Sequence, residues 1–322
     1  MLVETELRQV VGINAAALAA VKSAFSWLEE GRVSMPPIMH IEARGRGDVD
    51  VKSAFVEGLP YFAIKIASGF FGNAERGLPA GSAMMVLLNS ETGFCEAVLL
   101  DNSYLTDLRT GMAGAVAAEF LAPSAVGTVG VLGTGTQARY QVRCLRLVRE
   151  FNRVIVWGRS AQKARVYAED LQQDGEFEVT VAASAEEVVR ACDVLITTTP
   201  SERPLVKAAW LRAGQHVTAV GADFPRKQEL EAEVLRKADR LVCDRLSQCR
   251  ENGELQHLAQ KGELPAGLQV IELGALTMGK KKGRQTQAEL TVCDLTGTGV
   301  QDTAIANLAY SEALQRGMGV EF

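Results

Sequence analysis

The chain has 322 residues, with 34 Lys and Arg against 39 Asp and Glu, 47% apolar residues and 6% aromatic residues. This is the composition of a soluble globular protein with room for two domains. The net charge of −5 (34 − 39) and the absence of any longer basic run than Lys280–Lys282 argue against nucleic-acid and membrane partners. No stretch reaches the roughly 18 apolar residues of a membrane span, and the N-terminus lacks the basic region of a signal peptide, so we expect a cytoplasmic protein.

The Cys and His residues show no metal-binding pattern. Six cysteines are spread along the chain without a CxxC motif, which predicts reduced thiols and neither a disulfide framework nor a zinc site. His40, His216 and His257 are isolated and match no metal or catalytic-triad spacing. We therefore expect structural histidines and no metal.

The N-terminal region predicts a helix followed by strands. Apolar residues at helical spacing over residues 14–30 predict a helix that ends at Gly31. A polar, Gly-rich stretch over residues 42–50 cannot continue a helix, so strands are expected to resume at Val51.

The next segments predict a hairpin and two further helices. The apolar runs at residues 84–88 and 97–100 flank a turn and predict two antiparallel strands. Helical spacing continues from residue 108 to about 120 and recurs in the tail at residues 302–317. The tail helix could return to pack on the N-terminal region.

From residue 128 onward, short apolar runs alternate with helical stretches. The predicted strands are Thr128–Leu132, Val154–Trp157, Val179–Val181, Val194–Thr198, His216–Val220, Leu241–Val242 and Val270–Leu273. Such alternation favours right-handed crossovers and a doubly wound parallel sheet of the Rossmann type in an α/β fold. We place this domain at residues 121–297, which leaves 1–120 plus 298–322 for an α+β domain formed by both chain ends.

A glycine-rich loop follows the first of these strands and opens a helix. It reads Gly133, Thr134, Gly135, Thr136, Gln137 and Ala138. The first glycine permits the tight turn, the second lets the backbone approach a pyrophosphate, and the small third residue lets the helix pack on the strand. The helix N-terminus adds free amides and partial positive charge. The loop predicts a dinucleotide site, with a purely structural turn as the alternative.

The end of the next strand bears on the choice of dinucleotide. An NAD-preferring site has Asp or Glu there, whereas this chain has Arg159 and Ser160, with Lys163 close behind. A guanidinium fork and short donors suit a 2′-phosphate, so we expect NADP(H) as the preferred cofactor and NAD(H) as the second option. The alternative is a solvent-facing Arg-Ser pair that opens a helix. Thr198 and Val220, at the ends of later strands, are also expected to contact the cofactor.

Further motifs occur in the order of a known family. They are Lys65 in AIKI, Arg109 in LTDLRT, the glycine-rich loop, Gly221–Leu230, Gly253–Leu255 and Thr291–Gly297. Together they resemble the ornithine cyclodeaminase/mu-crystallin family over about residues 35–302. Within this family, the sequence from residue 35 to residue 107 is most similar to the branch found with ectoine-utilisation genes.

The resemblance implies a homodimer whose first domain, made from both chain ends, carries the dimer contacts and the substrate floor. It implies small α-amino acids, or their imino or keto relatives, as substrates, with hydride moving between the substrate α-carbon and the nicotinamide. It also implies that Lys65 and Arg109 hold the substrate carboxylate or polarise the imine. Lys65 and Asp223 are then the catalytic side chains.

Three more residues match the family's contacts on the cofactor side, namely Thr110, Lys227 and Thr296. The main candidates also have structural interpretations. Lys65 could be a solvated charge on an edge strand, Arg109 could cap a helix or pair with Asp107 or another acid, and Asp223 could simply form a turn.

One position departs from the family pattern. Met39 stands at a substrate-binding position where many members have an Arg that completes the grip on the carboxylate, and a thioether cannot make charge-assisted hydrogen bonds. Either Arg44 or Arg46 reaches in, or Arg109 and Lys65 act alone, or the substrate is not a simple α-carboxylate.

Two reactions and one non-catalytic role fit these residues. Reduction of a C=N bond with NADPH, as a ketimine reductase or in reverse an amino-acid dehydrogenase, is favoured by Arg159. A cyclodeaminase that uses catalytic NAD is favoured by the motif around Asp223. We favour net reduction, because ornithine binding would miss the Arg that Met39 replaces. A non-catalytic NADP-dependent ligand-binding protein is the third class, and the presence of Lys65, Arg109 and Asp223 argues against it.

Overall fold

The structure is a computed structural model that describes residues 1–263 and 269–321. Within these ranges the strands are β1 Leu2–Val3, β2 Val33–Ser34, β3 Met39–Glu42, β4 Asp48–Val56, β5 Tyr61–Gly69, β6 Gly81–Asn89, β7 Cys95–Leu100, β8 Thr128–Leu132, β9 Arg153–Trp157, β10 Glu178–Val181, β11 Val194–Thr197, β12 His216–Ala219, β13 Arg240–Cys243, β14 Val270–Glu272 and β15 Thr291–Asp294. The helices are α1 Glu4–Val10, α2 Ala15–Glu29, α3 Tyr104–Leu121, α4 Thr136–Leu145, α5 Ala161–Gln172, α6 Ala185–Ala191, α7 Ala232–Lys237, α8 Leu246–Asn252, α9 Gln256–Ala259, α10 Leu273–Thr277 and α11 Gly299–Gln315.

The chain divides into two compact units. The first unit comprises Met1–Arg109 and Thr298–Phe322, and the second comprises Thr110–Gly297. Helix α3 begins in the first unit and ends in the second, and the division expected after residue 120 lies at the end of this helix.

The first unit is built on a mixed sheet with strand order β1-β7-β6-β5-β4-β2, in which β3 also pairs with β4. Strands β6 and β7 form the predicted antiparallel hairpin. Helix α11 packs on α2, β4 and β5, so the tail does return to the N-terminal region. Gly299 makes this contact possible, because a Cβ there would lie 2.5 Å from the Ser53 carbonyl oxygen of β4.

The Gly-rich stretch after Met35 is a hairpin turn rather than a long loop. Strand β3 was not predicted, and β4 begins three residues before the expected Val51. Arg44 and Gly45 have φ values of +42° and +76°, which turns the chain so that Met39 pairs with Val51. All four residues of β3 are exposed, and the alternation of its sequence, Met-His-Ile-Glu, is too short to reveal a strand by itself.

The second unit confirms the Rossmann-type sheet. Its eight strands are all parallel, in the order β10-β9-β8-β11-β12-β15-β13-β14. The order reverses at β8, whose neighbours are β9 and β11, and ligands of such sheets bind at the carboxyl ends of the strands at this point. Strand β15 was not predicted, because Thr291–Asp294 is short and half polar, yet it is fully buried between β12 and β13.

In the described part of the chain, no single helix is long and apolar enough to cross a membrane. Helices α1 and α2 reach that length only together, and they are bent by 95° to each other. The same residues contain no group of His, Cys, Asp and Glu that could hold a metal ion. The six cysteines are free thiols, and Cys95 is exposed whereas the others are buried.

Candidate active site

The glycine-rich loop of the second unit has the backbone geometry of a dinucleotide loop. Gly133 has a φ of +118°, and a Cβ there would lie 2.5 Å from the Thr198 hydroxyl oxygen, so only glycine fits the turn. No described atom lies within 4 Å of the Cβ position of Gly135, which leaves its backbone open to a ligand. Helix α4 begins directly after Gly135 and directs its free amides to the same place. A pyrophosphate therefore fits this loop.

A cavity of about 730 Å³ opens beside the loop. Seven predicted cofactor residues line it, namely Gly133, Thr134, Gly135, Arg159, Ser160, Lys163 and Thr198. The two glycines of the loop thus line the same cavity as Arg159, the residue that bears on the choice of cofactor. The volume is within the range of small-molecule and cofactor sites.

The other predicted cofactor residues are not among the described residues that line this cavity. They are Thr110, Thr136, Gln137, Ala138, Val220, Lys227 and Thr296. Ala138 is fully buried, in keeping with its expected packing role between helix and strand. The Thr296 hydroxyl donates to Asp244 at 3.0 Å and accepts from the Gln248 amide at 2.8 Å, so the fold already engages it. The Thr110 carbonyl accepts from the Gln141 amide at 2.9 Å.

The loop after β11 supplies cavity residues that were not predicted. They are Thr199, Pro200, Ser201, Glu202, Arg203 and Leu205, and Trp157 joins them from the end of β9. The signal that could have found them is positional, since they follow the carboxyl end of a strand next to β8.

Buried Glu229 ties the ends of two neighbouring strands together. Its Oε1 accepts from the Thr199 backbone amide at 2.5 Å, and its Oε2 accepts from the Thr197 hydroxyl at 2.7 Å and the Gly221 amide at 2.8 Å. Burial raises the pKa of Glu229 to about 7 although these hydrogen bonds favour the ionised form. Glu229 therefore fixes the start of the loop that lines the cavity.

Two more buried carboxylates extend this arrangement. Glu254 accepts from the backbone amides of Glu229 and Leu230 at 2.7 and 3.2 Å, and Asp294 accepts from the Leu255 amide at 3.1 Å. Burial raises the pKa of Glu254 well above its usual value and that of Asp294 to about 7. Glu254 thus holds the backbone of the motif that contains Glu229, and Asp294 holds the backbone of the motif that contains Glu254.

Asp223 lies in a turn that the surrounding side chains brace. Its Oδ1 is 2.6 Å from the Lys227 ammonium, and its side chain is about half exposed. Gln256, which is fully buried, donates to the Phe224 carbonyl at 3.3 Å and accepts from the Arg226 amide at 3.3 Å. The turn therefore presents a half-exposed, ion-paired carboxylate shortly after the end of β12.

Two histidines of the second unit, His216 and His257, make contacts that support the fold. His216 lies between the Thr291 and Thr218 hydroxyls, at 2.9 and 3.0 Å, and burial lowers its pKa to about 3, so it is neutral. The His257 ring lies 2.8 Å from the Lys227 carbonyl and supports the turn that carries Asp223.

The first unit buries Lys65 and Arg109 in one ionic cluster. Lys65 is 2% exposed on the interior strand β5, so the interpretation as a solvated edge charge is wrong. Its ammonium lies 2.9 Å from Asp302 Oδ2, and Arg109 Nε lies 2.8 Å from Asp302 Oδ1. The Gln301 side-chain oxygen accepts from Arg109 Nη1 at 3.1 Å. Helix α11 therefore brings an acid and an amide to the two predicted cations.

Lys52 adds a third cation that was not predicted. It is buried on β4 directly opposite Lys65, with which it forms a cross-strand pair. Burial, followed by the charge of Arg109, lowers the pKa of Lys65 to about 7. Burial alone would raise the pKa of Asp302, but Arg109 and Lys65 outweigh it and hold that pKa below its usual value. Asp101 is a second buried acid that the charges of Lys65 and Asp302 reach. The three cations still outnumber these two acids, and a surplus of positive charge suits an anionic ligand.

Met39 has a different environment from this cluster. Its side chain is 60% exposed on β3, and Arg44 and Arg46 are exposed in the turn that follows. Among the described contacts, none joins these three residues to Lys65, Arg109 or Asp302.

Comparison with known proteins identifies the chain's relatives. The sequence model of the ornithine cyclodeaminase/mu-crystallin family matches residues 1–317. A protein named as an uncharacterized cyclodeaminase from Sinorhizobium fredii is 44% identical over 100% of this chain and 98% of its own length.

Two solved structures are also similar over the full chain. An archaeal alanine dehydrogenase dimer with bound NAD is 36% identical with a TM-score of 0.92, covering 100% of this chain and 98% of that one. The Δ1-pyrroline-2-carboxylate reductase of Thermococcus litoralis, in complex with NADH and L-proline, is 28% identical with a TM-score of 0.94, covering 100% and 99%.

Proposed function

This chain belongs to the ornithine cyclodeaminase/mu-crystallin family and is an NAD(P)-dependent oxidoreductase; we propose that it reduces the C=N bond of a small imino acid with NADPH, or in reverse oxidises the amino acid. The observation that carries the proposal is the buried cluster of Lys52, Lys65 and Arg109 around Asp302, because its surplus positive charge suits a substrate carboxylate. The names of two relatives, an alanine dehydrogenase and a pyrroline-2-carboxylate reductase, describe such chemistry.

In this proposal the chain's own residues bind the substrate and move its proton. Lys65 and Arg109 hold the carboxylate, and Lys52 takes the place of the Arg that Met39 replaces. NADPH, when bound, supplies a hydride to the α-carbon. The substrate nitrogen must gain one proton as the C=N bond becomes a C–N bond, and the half-exposed Asp223 carboxylate takes this proton from solvent and passes it to the nitrogen.

The preference for NADPH rests on the cavity beside the glycine-rich loop. Arg159, Ser160 and Lys163 all line it after the end of β9, and residues 158–163 include no acid. A cationic fork with short donors binds a 2′-phosphate, whereas ribose hydroxyls prefer a carboxylate.

The assembly is proposed to be a homodimer. The alanine dehydrogenase relative is described as a dimer, and this chain is similar to it over its full length. Sedimentation equilibrium of the purified protein tests this directly, and a monomeric mass would contradict it.

A cyclodeaminase is the second candidate, favoured by the 44% identical relative that carries that name. It would need Asp223 for the distal ammonium of ornithine, but the Lys227 ammonium already lies 2.6 Å from that carboxylate. The structure therefore favours reduction.

The test is to mix the protein with NADPH or NADH and a panel of cyclic and linear imino acids, with L-ornithine as the comparison substrate. Loss of nicotinamide absorbance with an imino acid, faster with NADPH, is expected. Ammonia release from ornithine with NAD⁺ and no net absorbance change would contradict the proposal.

A further inference from the structure

We propose that Arg203 is the second arginine of the adenosine 2′-phosphate site and acts across the cavity from Arg159. The inference rests on the NADPH preference proposed above and adds a residue to it. Arg159 follows β9 and Arg203 lies on the loop after β11, and both line the same cavity. Because β9 and β11 are the two neighbours of β8, the segments that carry the two arginines follow strands on opposite sides of β8.

The loop that carries Arg203 is held by hydrogen bonds at both ends and within. At its start the Thr199 amide donates to the Glu229 carboxylate, and at its end the Leu205 amide donates to the Glu229 carbonyl at 2.7 Å. Inside the loop, the Ser201 hydroxyl donates to the Arg203 carbonyl at 2.7 Å and accepts from the Arg203 amide at 3.3 Å. The backbone of Arg203 is therefore placed before any ligand arrives, which lowers the entropy cost of binding.

The charge of the cavity is suited to a phosphate monoester. Among residues 1–263 and 269–321, no ion pair or hydrogen bond joins the head groups of Arg159, Lys163 or Arg203 to another side chain. Among the described residues that line the cavity, Glu202 is the one acidic side chain. Three cations and one anion leave a surplus of two positive charges (3 − 1), and a phosphate monoester carries about −1.5 to −2 near pH 7.

Two guanidinium forks can also share one phosphate geometrically. Each fork presents parallel N–H donors, and the three terminal oxygens of a phosphate monoester offer acceptors to both. Arg203 thereby distinguishes NADPH from NADH rather than binding both through the shared adenosine.

The test is calorimetric titration of the purified full-length protein with 2′,5′-ADP and with 5′-AMP, which differ in the 2′-phosphate alone. Replacement Arg203→Ala is expected to weaken 2′,5′-ADP about tenfold or more, the scale of a charge-assisted hydrogen bond, and to leave 5′-AMP nearly unchanged. Arg203→Lys should restore part of the affinity. Arg203 is exposed, so the melting temperature of these variants should match that of the wild type.

Glu202→Gln is the matched variant, for which the affinity for 2′,5′-ADP is expected to change in the opposite direction. It removes the single negative charge beside Arg203 and is expected to tighten 2′,5′-ADP while leaving 5′-AMP unchanged. An unchanged affinity for 2′,5′-ADP in this variant would overturn the charge balance on which the inference stands.

The outcomes separate this inference from the proposed cofactor. Equal losses of both nucleotides in Arg203→Ala would mean that Arg203 stacks on the adenine and would overturn the inference. A selective loss in Arg159→Ala but none in Arg203→Ala would also overturn it, and the NADPH preference would stand. A wild-type protein that binds both nucleotides alike would overturn the NADPH preference together with the role of Arg203.

Discussion

The Lys65 ammonium and the Asp302 carboxylate form a buried ion pair, with Nζ and Oδ2 2.9 Å apart. The same carboxylate contacts Arg109 at 2.8 Å, so one acid balances two cations that lie far away in sequence. Since Lys52 faces Lys65 across the sheet, positive charge remains in surplus. Burial of like charges raises the free energy of the folded chain, and binding of an anion that offsets these charges lowers it. The cluster therefore links the fold of the first unit to the proposed binding of a substrate carboxylate.

Replacement of Asp302 tests this ion-pair cluster. Asp302→Asn leaves Lys65 and Arg109 without their carboxylate and should lower the free energy of unfolding by about 3–5 kcal/mol. The double variant Asp302→Asn/Lys65→Met removes a cation as well and should recover part of that loss. Urea denaturation measures these two variants and Lys65→Met alone, and losses in the two single variants that simply add in the double variant would contradict the coupling of the two residues.

The pH dependence of substrate binding tests the charge of Lys65. Burial and the neighbouring Arg109 lower the pKa of Lys65 to about 7, so its ammonium form is present below that pH and is lost above it. If the ammonium holds the substrate carboxylate, KM should rise as the pH is raised through 7. Lys65→Arg keeps its charge throughout this range, so the rise should be absent in that variant. The same rise in both proteins would assign it to another group.

The stability of the protein gives a second measurement of the same group. The Lys65 pKa is about 7 in the folded chain against 10.5 for an unperturbed lysine, so the unfolded chain binds more protons between these values. The free energy of unfolding of the wild type should therefore rise with pH from about 7 to 10.5, relative to Lys65→Met. Parallel curves for the two proteins would show that the Lys65 pKa is not lowered.

Replacement of Asp223 tests the proton step. Asp223→Asn should lower kcat about 10²- to 10⁴-fold, as expected for loss of an acid-base group, while dinucleotide binding persists. Glu233→Gln, which removes an exposed acid of α7, should leave kcat unchanged. Fluorescence titration with NADPH supplies the binding measurement. Unchanged turnover in Asp223→Asn would remove Asp223 from the mechanism.

Replacement of Glu229 tests whether this acid positions the cofactor loop. In Glu229→Gln an amide nitrogen takes the place of one oxygen, so one of the N–H donors of Thr199 and Gly221 loses its acceptor. The free energy of unfolding should fall by about 1–3 kcal/mol, and the Kd for NADPH should rise. An unchanged Kd would limit Glu229 to a structural role.

The Glu229 carboxyl also has a predicted pH signature. Its pKa is about 7 in the folded chain against 4.5 for an unperturbed glutamate, so the folded chain binds more protons between these values. The stability of the wild type relative to Glu229→Gln should therefore fall as the pH rises from about 4.5 to 7. The charge of Glu229 also raises the pKa of Glu254, so the difference between the two proteins reports Glu229 together with its effect on Glu254.

The sequence predicted those features that local patterns encode. The glycine-rich loop was found because its glycines stand between a strand and a helix, and backbone geometry does require a glycine at Gly133. The parallel sheet was found because its strands are apolar and regularly spaced. Strands β3 and β15 were not found, since one is exposed and the other is short and half polar, and both depend on their partners in the sheet.

The residues that complete the two sites depend on long-range pairing. Lys52 meets Lys65 through strand register, and Asp302 meets Arg109 through the return of a helix 193 residues away. Neither contact leaves a periodic signal in the sequence. Arg203 enters the cavity because β11 neighbours β8, which follows from the sheet order and not from any motif.

The most direct test of the central claim is to follow the hydride itself. NADPH deuterated at the reactive nicotinamide carbon is mixed with the protein and a cyclic imino acid, and the product is examined by NMR. Deuterium on the α-carbon of the amino acid, with one oxidised cofactor for each product molecule, is the predicted result. Product without deuterium, or ammonia release with no net oxidation of the cofactor, would contradict the proposed reductase.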